Sequence, residues 1–409
     1  MRVSILYIAL TLLPLCLSVG DSRAAVSGLQ AWSDQLAVAR ETRRIEQEPV
    51  APTERVAEVQ LIREVAIGER GSDSAYLLYD ADYAVADGQG RIFVRDSGNK
   101  RIQVFDAAGE YLLTIGREGQ GPGEFSELNT LAVRGDTIVA GDRLNGRFSL
   151  FSSDGSLVET VRSEDFADSI AWLVGRDDGT YVALLAMRHS STTVRSGVDP
   201  RLQSFRVAAL SSELDEIRGL VAFPEYYRPM ALRQVGRGLS MVRVDVPYAA
   251  SPAIAAGSKG VIYASTLDKY EIVAFRAGGG AEWVLESPWP QSPITEAEID
   301  EAVGRVRESR GWDDFARSEF DWPEQRPAID RIAVDGHNNL YVFPYGNADV
   351  AEHDLRMVDV YGPGGDRVLS GWIADVAWFF AYDDYVLAQE VDESSGEERI
   401  VRYRLRLPS

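Results

Sequence analysis

The chain is poor in the residues on which small secreted scaffolds and many enzymes depend. Its 409 residues include one cysteine, three histidines and five methionines. The cysteine, Cys16, lies in the apolar N-terminal stretch, so the rest of the chain has neither disulfides nor thiol chemistry. Basic residues are outnumbered, 42 against 63 acidic, for a formal charge of −21. That balance argues against general nucleic-acid binding, whose affinity comes from Lys and Arg neutralising phosphates, and the arginines are scattered singly. The acidity itself is what solubility needs. No Gly-x-Ser-x-Gly elbow, P-loop, EF-hand loop or dinucleotide fingerprint occurs; the cluster Gly119–Gly123 opens no helix. After the N-terminus no segment approaches the roughly 20 apolar residues of a membrane span.

The N-terminus sets the expected compartment. Arg2 precedes a short apolar run from Val3 to Leu15, and small and polar residues follow to Ala24-Ala25. A basic start, a short apolar run and a small-x-small site describe a signal peptide over 1–24, cleaved after Ala24 into a secreted or periplasmic chain. Leu15 stands where a lipoprotein signal wants a small residue, which disfavours lipid anchoring at Cys16. Residues 25–55 are charged, sparse in large apolar side chains and close with Pro49 and Pro52, so they are expected to be a linker. A short helix around Leu29, Trp32 and Leu36 is the alternative.

From residue 56 to 409 the texture is short apolar runs punctuated by Gly and Asp. The clearest unit spans 81–116: Tyr83-Ala84-Val85-Ala86, Ile92-Phe93-Val94, Arg101-Ile102-Gln103-Val104-Phe105 and Tyr111-Leu112-Leu113-Thr114-Ile115. Four short strands with Gly/Asp/Asn turns make one antiparallel sheet. Such a sheet must stack on copies of itself. Copies begin at Leu131, Trp172, Ala253, Ile332 and Val376, and the last runs out of chain after three strands. An orphan strand, Val59 to Gly68, precedes the first unit and ends like Leu113-Thr114-Ile115-Gly116. The economical reading is an all-β, six-bladed β-propeller of four-stranded antiparallel blades, closed by the N-terminal strand, which removes an open sheet edge. The segment Val85-Ala86-Asp87-Gly88 through Phe105-Asp106-Ala107-Ala108-Gly109, with Gly116-Arg117-Glu118-Gly119-Gln120-Gly121-Pro122-Gly123-Glu124-Phe125 after it, resembles an NHL repeat. The whole mature chain is similar to secreted bacterial six-bladed propellers with NHL-like repeats. That resemblance speaks to fold and little to function.

Within a blade the strand 1–2 and 3–4 turns share one face of the disc, and the strand 2–3 loops and blade-to-blade connections share the other. Short turns such as Gly88-Gln89-Gly90, Asp177-Asp178-Gly179 and Ser153-Asp154-Gly155 fall on the first face. The long insertions 188–202, 222–252, 287–328 and 344–355 fall on the second, which suggests a built-up binding surface there. Thr295-Glu296-Ala297-Glu298 fits a capping box, and Ile299, Val303 and Val306 recur at helical spacing, predicting a helix between blades four and five. The aromatic and basic residues of these insertions are the candidate contacts for a peptide, protein or glycan: Tyr226, Tyr227, Arg228, Tyr248, Trp312 and Trp322. His189 and His353 join them on the same face. His337 sits in a turn on the opposite face, which speaks against a three-His zinc site. Asp96, Asn99 and Arg101 recur as Asp142, Asn145 and Arg147, partly as Asp268 and as Arg356. A position locked by the repeat is better explained by a structural hydrogen bond than by a site.

The expected function is a non-enzymatic binding propeller with no cofactor. The alternative implied by the resemblance is a metal-assisted lyase or lactonase-type site at the ring centre. The candidates at the leading ends of the innermost strands are Asp82, Asn129, Ser169, Ser251, Asp330 and Asp375, with Asp330 and Asp375 the metal ligands. Calcium or another divalent ion is left open by the abundant carboxylates.

Overall fold

A computed structural model describes residues 23–55, 57–69, 73–162, 170–186, 202–224, 226–227, 230–235, 238–243, 248, 251–257, 260–276, 278–319, 322–345, 355–376, 380–382, 384–392 and 395–408. Asp- and Gly-rich turns cut the chain into short strands that pair in chain order. The first blade joins Tyr83–Ala86, Ile92–Asp96, Arg101–Phe105 and Tyr111–Ile115. The second joins Leu128–Arg134, Thr137–Asp142, Arg147–Ser152 and Leu157–Arg162. The third is Ile170–Gly175, Tyr181–Ala186, Phe205–Leu210 and Glu216–Ala222. Ala253–Ala256, Ile262–Ser265, Glu271–Phe275 and Ala281–Glu286 form the fourth. Ile329–Val334, Leu340–Pro344, Leu355–Tyr361 and Arg367–Ala374 form the fifth.

The sixth blade takes Phe380–Ala381, Tyr385–Val391 and Glu398–Arg406 from the C-terminus, and its outermost strand, Ala57–Ile67, from the N-terminus. Leu61 pairs with Leu405 and Ile67 with Ile400, as ring closure requires. The same strand first runs parallel to blade five, with Ala57 opposite Gly371. A Cβ at Gly371 would sit 2.3 Å from the Ala57 carbonyl oxygen, so only glycine admits the crossing strand. The result is a closed six-bladed β-propeller.

The middle strands of each blade are buried on both faces because each sheet is pressed between two neighbours. Phe93, Ile102 and Val104 of blade one meet Leu131, Ile138 and Phe151 of blade two in one apolar cluster. Outermost strands are exposed: Leu157 and Val158 of blade two face solvent.

Residues 25–55 depart from the expected linker. Arg23–Thr42 form a 20-residue helix, α1, and Arg44–Glu46 add a parallel fifth strand to blade four, pairing Arg44 with Val284. Trp32, Leu36 and Ala39, spaced three and four apart, are buried on the outside of blades three and four. Trp32 stacks on Phe223 at 5.3 Å between ring centres. Three apolar residues on one helix face were enough to dock a segment whose composition reads as a linker.

The repeated polar positions explain why α1 docks where it does. In blade one, buried Asp96 accepts from Tyr79 N (2.8 Å), from the Asn99 amide and from Arg101 Nε (2.7 Å). Arg101 then donates to the Ser74 and Leu77 carbonyls, so the pair fastens the preceding connection to the strand 2–3 loop. Asp142 repeats this with Ser126 N and Glu127 N, and Arg147 with the Gln120, Gly121 and Glu124 carbonyls. The pairing Ile262–Phe275 matches Ile92–Phe105, which puts Thr266 and Glu271, rather than Asp268, in the places of Asp96 and Arg101. Blade four therefore has a buried carboxylate where blades one and two have a guanidinium. Burial raises the Glu271 pKa, opposed by Arg40 of α1 at 2.7 Å. Arg40 and Arg44 also hold Glu286.

Candidate functional site

The innermost strands run from the face of the long connections to the strand 1–2 turns, and apart from Arg134 their final residues are small or aliphatic. Val85, Val133, Val174, Ala255 and Ile332 converge with Tyr382 around the axis. They enclose a cavity of about 1020 Å³ that opens on the turn face, within the size range of small-molecule sites or slightly above it. Gly175 keeps its neighbours close: a Cβ there would lie 2.6 Å from the Val133 carbonyl oxygen. A second cavity of about 220 Å³ lies at the other end of the axis, beside Ser251, Asp330 and Arg331. Trp172, Ile254 and Ile332 line both.

The rim of the larger cavity is built from turn residues that also staple the blades. Arg91 Nη1 donates to the Ser153 carbonyl (3.1 Å), Arg134 Nη1 to that of Gly179 (2.8 Å), and Arg176 to those of Gly257 and Gly260 (both 2.9 Å). Tyr263 OH reaches the Asn338 carbonyl, and Ala86 N donates to Tyr382 OH. Burial lowers the Arg176 pKa, and Arg134 lies 4.8 Å over the Tyr181 ring. Asp87 accepts from Gln89 N, Arg91 N and Arg91 Nε, while Asp335 accepts from His337 N, Asn339 and Tyr341 OH. Those two carboxylates are consumed within their own turns. Asp177 and Asp384 are exposed rim acids, and the charges of Asp178 and Asp177 act on Arg176 against the effect of its burial. Tyr382 and Tyr385 stack with ring centres 4.6 Å apart.

Sequence reasoning had looked to the other face. Tyr226 is 3% exposed and part of the core, so it offers no surface to a ligand. Tyr227 pairs through its backbone with Leu202. Arg228, His189 and His353 lie outside the described residues. Trp312 and Trp322 are half-buried against the core, and Trp322 Nε1 donates to the Arg317 carbonyl. Tyr248 donates to Glu298 (2.9 Å) beneath the Arg326 guanidinium. The predicted helix is present as α2, Glu296–Arg310, with its Thr295/Glu298 capping box and a left-handed Gly311 at the end. The aromatics around α2 hold it on the disc.

Asp330 and Asp375 do come together, but around a cation of the protein's own. Arg356 Nη1 donates to Asp330 Oδ2 at 2.7 Å, and Arg356 Nε to Asp375. Burial pulls the Arg356 pKa down, and the two carboxylates more than restore it. A carboxylate pair neutralised by an arginine does not suit a divalent ion. Among the described residues no three His, Cys, Asp or Glu side chains form a metal-binding group. The rim residues Arg134, Arg176, Tyr382 and Tyr385 were missed by sequence reasoning. The available signal was the place of Arg134, Arg176 and Tyr382 at or just past the ends of innermost strands, which any closed ring turns toward its axis, with Tyr385 opening the next strand.

Glu298 gives the built-up face an acid-sensitive joint. Burial pushes its pKa up, but Arg326, the Thr295 N–H and hydroxyl, and Tyr248 outweigh that and hold it at about 2, below the ordinary 4.5. A carboxylate depressed on folding adds stability above its unfolded pKa and loses it as pH falls toward the folded one. Urea midpoints measured between pH 4.5 and 2 should therefore drop less steeply in Glu298→Gln than in the parent. Parallel acid limbs would show that Glu298 is not the joint.

A family model, DUF5128, described as a 6-bladed β-propeller, matches residues 80–189. No curated protein matches the chain in sequence. Among solved structures, one described as an exported protein from Bacteroides fragilis aligns at 14% identity and a TM-score of 0.50, covering 90% of this chain and 99% of its own. A member of the DUF4221 family from Bacteroides vulgatus aligns at 12% identity and TM-score 0.44, covering 86% and 99%. Virginiamycin B lyase from Staphylococcus aureus aligns at 9% and 0.41, covering 86% and 100%. At such identities the first of these bears on fold alone. The closed ring, the family model over residues 80–189 and the shared architecture agree that this chain is a six-bladed β-propeller.

Proposed function

We propose that the protein is a non-enzymatic binding propeller whose ligand seat is the axial funnel on the turn face. The observation that carries this reading is the 1020 Å³ cavity, walled by the aliphatic ends of the innermost strands and edged by tyrosines and charged turn residues. Catalysis is less well supported, because Asp330 and Asp375 are engaged by Arg356. The basic, apolar and small-residue sequence of positions 1–24 supports export, and among the described residues no helix is long and apolar enough to cross a membrane.

The seat can be tested with Nile red, a neutral apolar dye. It should bind with one-to-one stoichiometry, and Ala255→Trp or Val133→Phe, which fill the funnel, should weaken it at least tenfold. Trp312→Ala on the opposite face should leave the titration unchanged. Equal binding by parent and filled variants would sink the reading.

A second reading keeps a protein, peptide or glycan on the built-up face. Its support is the placement of α2 and of the hairpin Met230–Val235/Gly238–Arg243 in connections of that face. There Tyr227, Arg228, His189 and His353 are the candidate contacts, and a captured partner should lose affinity with Arg228→Ala but not with Gln89→Ala.

A further inference from the structure

We infer that α1 is a splint on one seam of the ring, between blades three and four, and that releasing it lets the axial cavity open. The consequence for a ligand rests on the reading that this cavity is the seat; the splint itself does not. At the axis the innermost strands Ile170–Gly175 and Ala253–Ala256 lie less close together than those of blades two and three or of blades four and five. Trp172 and Ile254, one from each side of that gap, line both axial cavities. On the turn face the gap is spanned by Arg176, which donates to the Gly257 and Gly260 carbonyls. At the outer rim it is spanned by α1. Gln35 Nε2 donates to the Leu220 carbonyl (3.1 Å), Ala222 N donates to Gln35 Oε1 (3.4 Å), and Trp32 stacks on Phe223, all on blade three. Further along the helix, Arg40 donates to Glu271 and Glu286 of blade four (both 2.7 Å), and Val284 N donates to the Arg43 carbonyl. One helix is thus fastened to both blades. Between them, Val207 and Ala209 of blade three and Ala264, Val273 and Val284 of blade four share one apolar cluster with Trp32, Leu36 and Ala39. The helix therefore also keeps water from the outer end of the seam. Its release leaves the ring closed, because the closing strand begins at Ala57.

The chain has no cysteine besides Cys16, so in the full chain carrying Cys16→Ser a cysteine buried in a seam reports that seam's opening to Ellman's reagent. Tyr263 reaches the Asn338 carbonyl of blade five, so Ala264, next to it on the strand and fully buried, faces blade three. Ala264→Cys should react slowly, and Trp32→Ala combined with Leu36→Ala should raise its rate about tenfold or more by easing a local opening. Ala208→Cys is equally buried, but in the cluster between blades two and three. Its rate should not change with the helix substitutions, which also shows that the ring is still folded. Arg176→Met should speed Ala264→Cys further in the loosened chain, because it removes the tie on the turn face. Nile red should leave the loosened chain faster than the parent. An unchanged rate at Ala264→Cys would overturn the splint, and so would equal acceleration at Ala208→Cys, which would mean general loosening. Faster labelling with unchanged Nile red release would overturn the link to the cavity. A parent chain that binds no Nile red would overturn the seat instead, while the labelling rates still decide the splint.

Discussion

A chain lacking residues 1–68 is expected not to form a stable monomeric ring, whereas one lacking residues 1–46 should still close. The strand Ala57–Ile67 supplies the outermost position of blade six against Glu398–Arg406 and also bridges to Arg367–Ala374 of blade five. Without it two strand edges stand open, and open edges pair with other chains. Removing 1–46 spares that strand but exposes the surface covered by Trp32 and Leu36. Each fully buried apolar side chain is worth about 1.5–3 kcal/mol, so the shorter truncation should cost roughly 3–6 kcal/mol. It also leaves Glu271 without Arg40. Size-exclusion chromatography and urea denaturation distinguish the outcomes: a destabilised monomer for the shorter truncation, aggregates or no cooperative transition for the longer. Indistinguishable behaviour would mean that the closing strand does not hold the ring.

The ring was legible in the sequence because its physics is local. Each blade announces itself by four apolar runs and Asp/Gly turns, and the terminal strand shows itself as an orphan matching a blade's last strand. The capping box at Thr295 and Glu298 is equally local, so α2 could be placed to within a residue. What stayed hidden depends on pairs far apart in sequence. Arg40 matters because Glu271, 231 residues later, stands where blades one and two carry arginine. The roles of Asp330 and Asp375 turn on Arg356, which reaches both only after blade five has folded. Tyr226 and Trp312 look like contact residues in a long connection, and their burial follows from neighbours that loop length does not reveal. The funnel is a collective property of six strand ends, with no motif of its own. Long insertions drew attention to the opposite face because length is visible in a sequence and a void is not.

Arg55→Ala should be among the most costly single substitutions outside the apolar core, at about 3–5 kcal/mol, because it strips a buried carboxylate of its counter-charge. The Arg55 side chain is fully buried. It donates through Nη1 to Asp359 Oδ1 (2.7 Å) and to the Val358 carbonyl (3.1 Å), and through Nη2 to Asp359 Oδ2 (3.3 Å). Asp359 also accepts from Tyr270 OH (2.7 Å) and from Ser370. Burial, with Asp359 adding to it, raises the Tyr270 pKa well above its ordinary value, so its hydroxyl stays a donor. Tyr270 belongs to the strand 2–3 loop of blade four, Asp359 to the third strand of blade five, and Arg55 to the segment just before the closing strand. The network thus pins the N-terminal segment at a blade boundary two residues before it enters the sheet. Asp359→Asn should cost a similar amount, since it leaves the guanidinium buried and unpaired. Replacing both partners with apolar residues of like volume, Arg55→Met with Asp359→Leu, should be far milder than the sum of the single changes. A buried pair that is removed whole leaves no orphan charge, although Tyr270 and Ser370 then lose their acceptor. Urea denaturation of the four chains supplies the cycle. Additive single costs would mean that the two charges do not stabilise each other and that Arg55 acts through packing against Trp289, 5.7 Å away, instead.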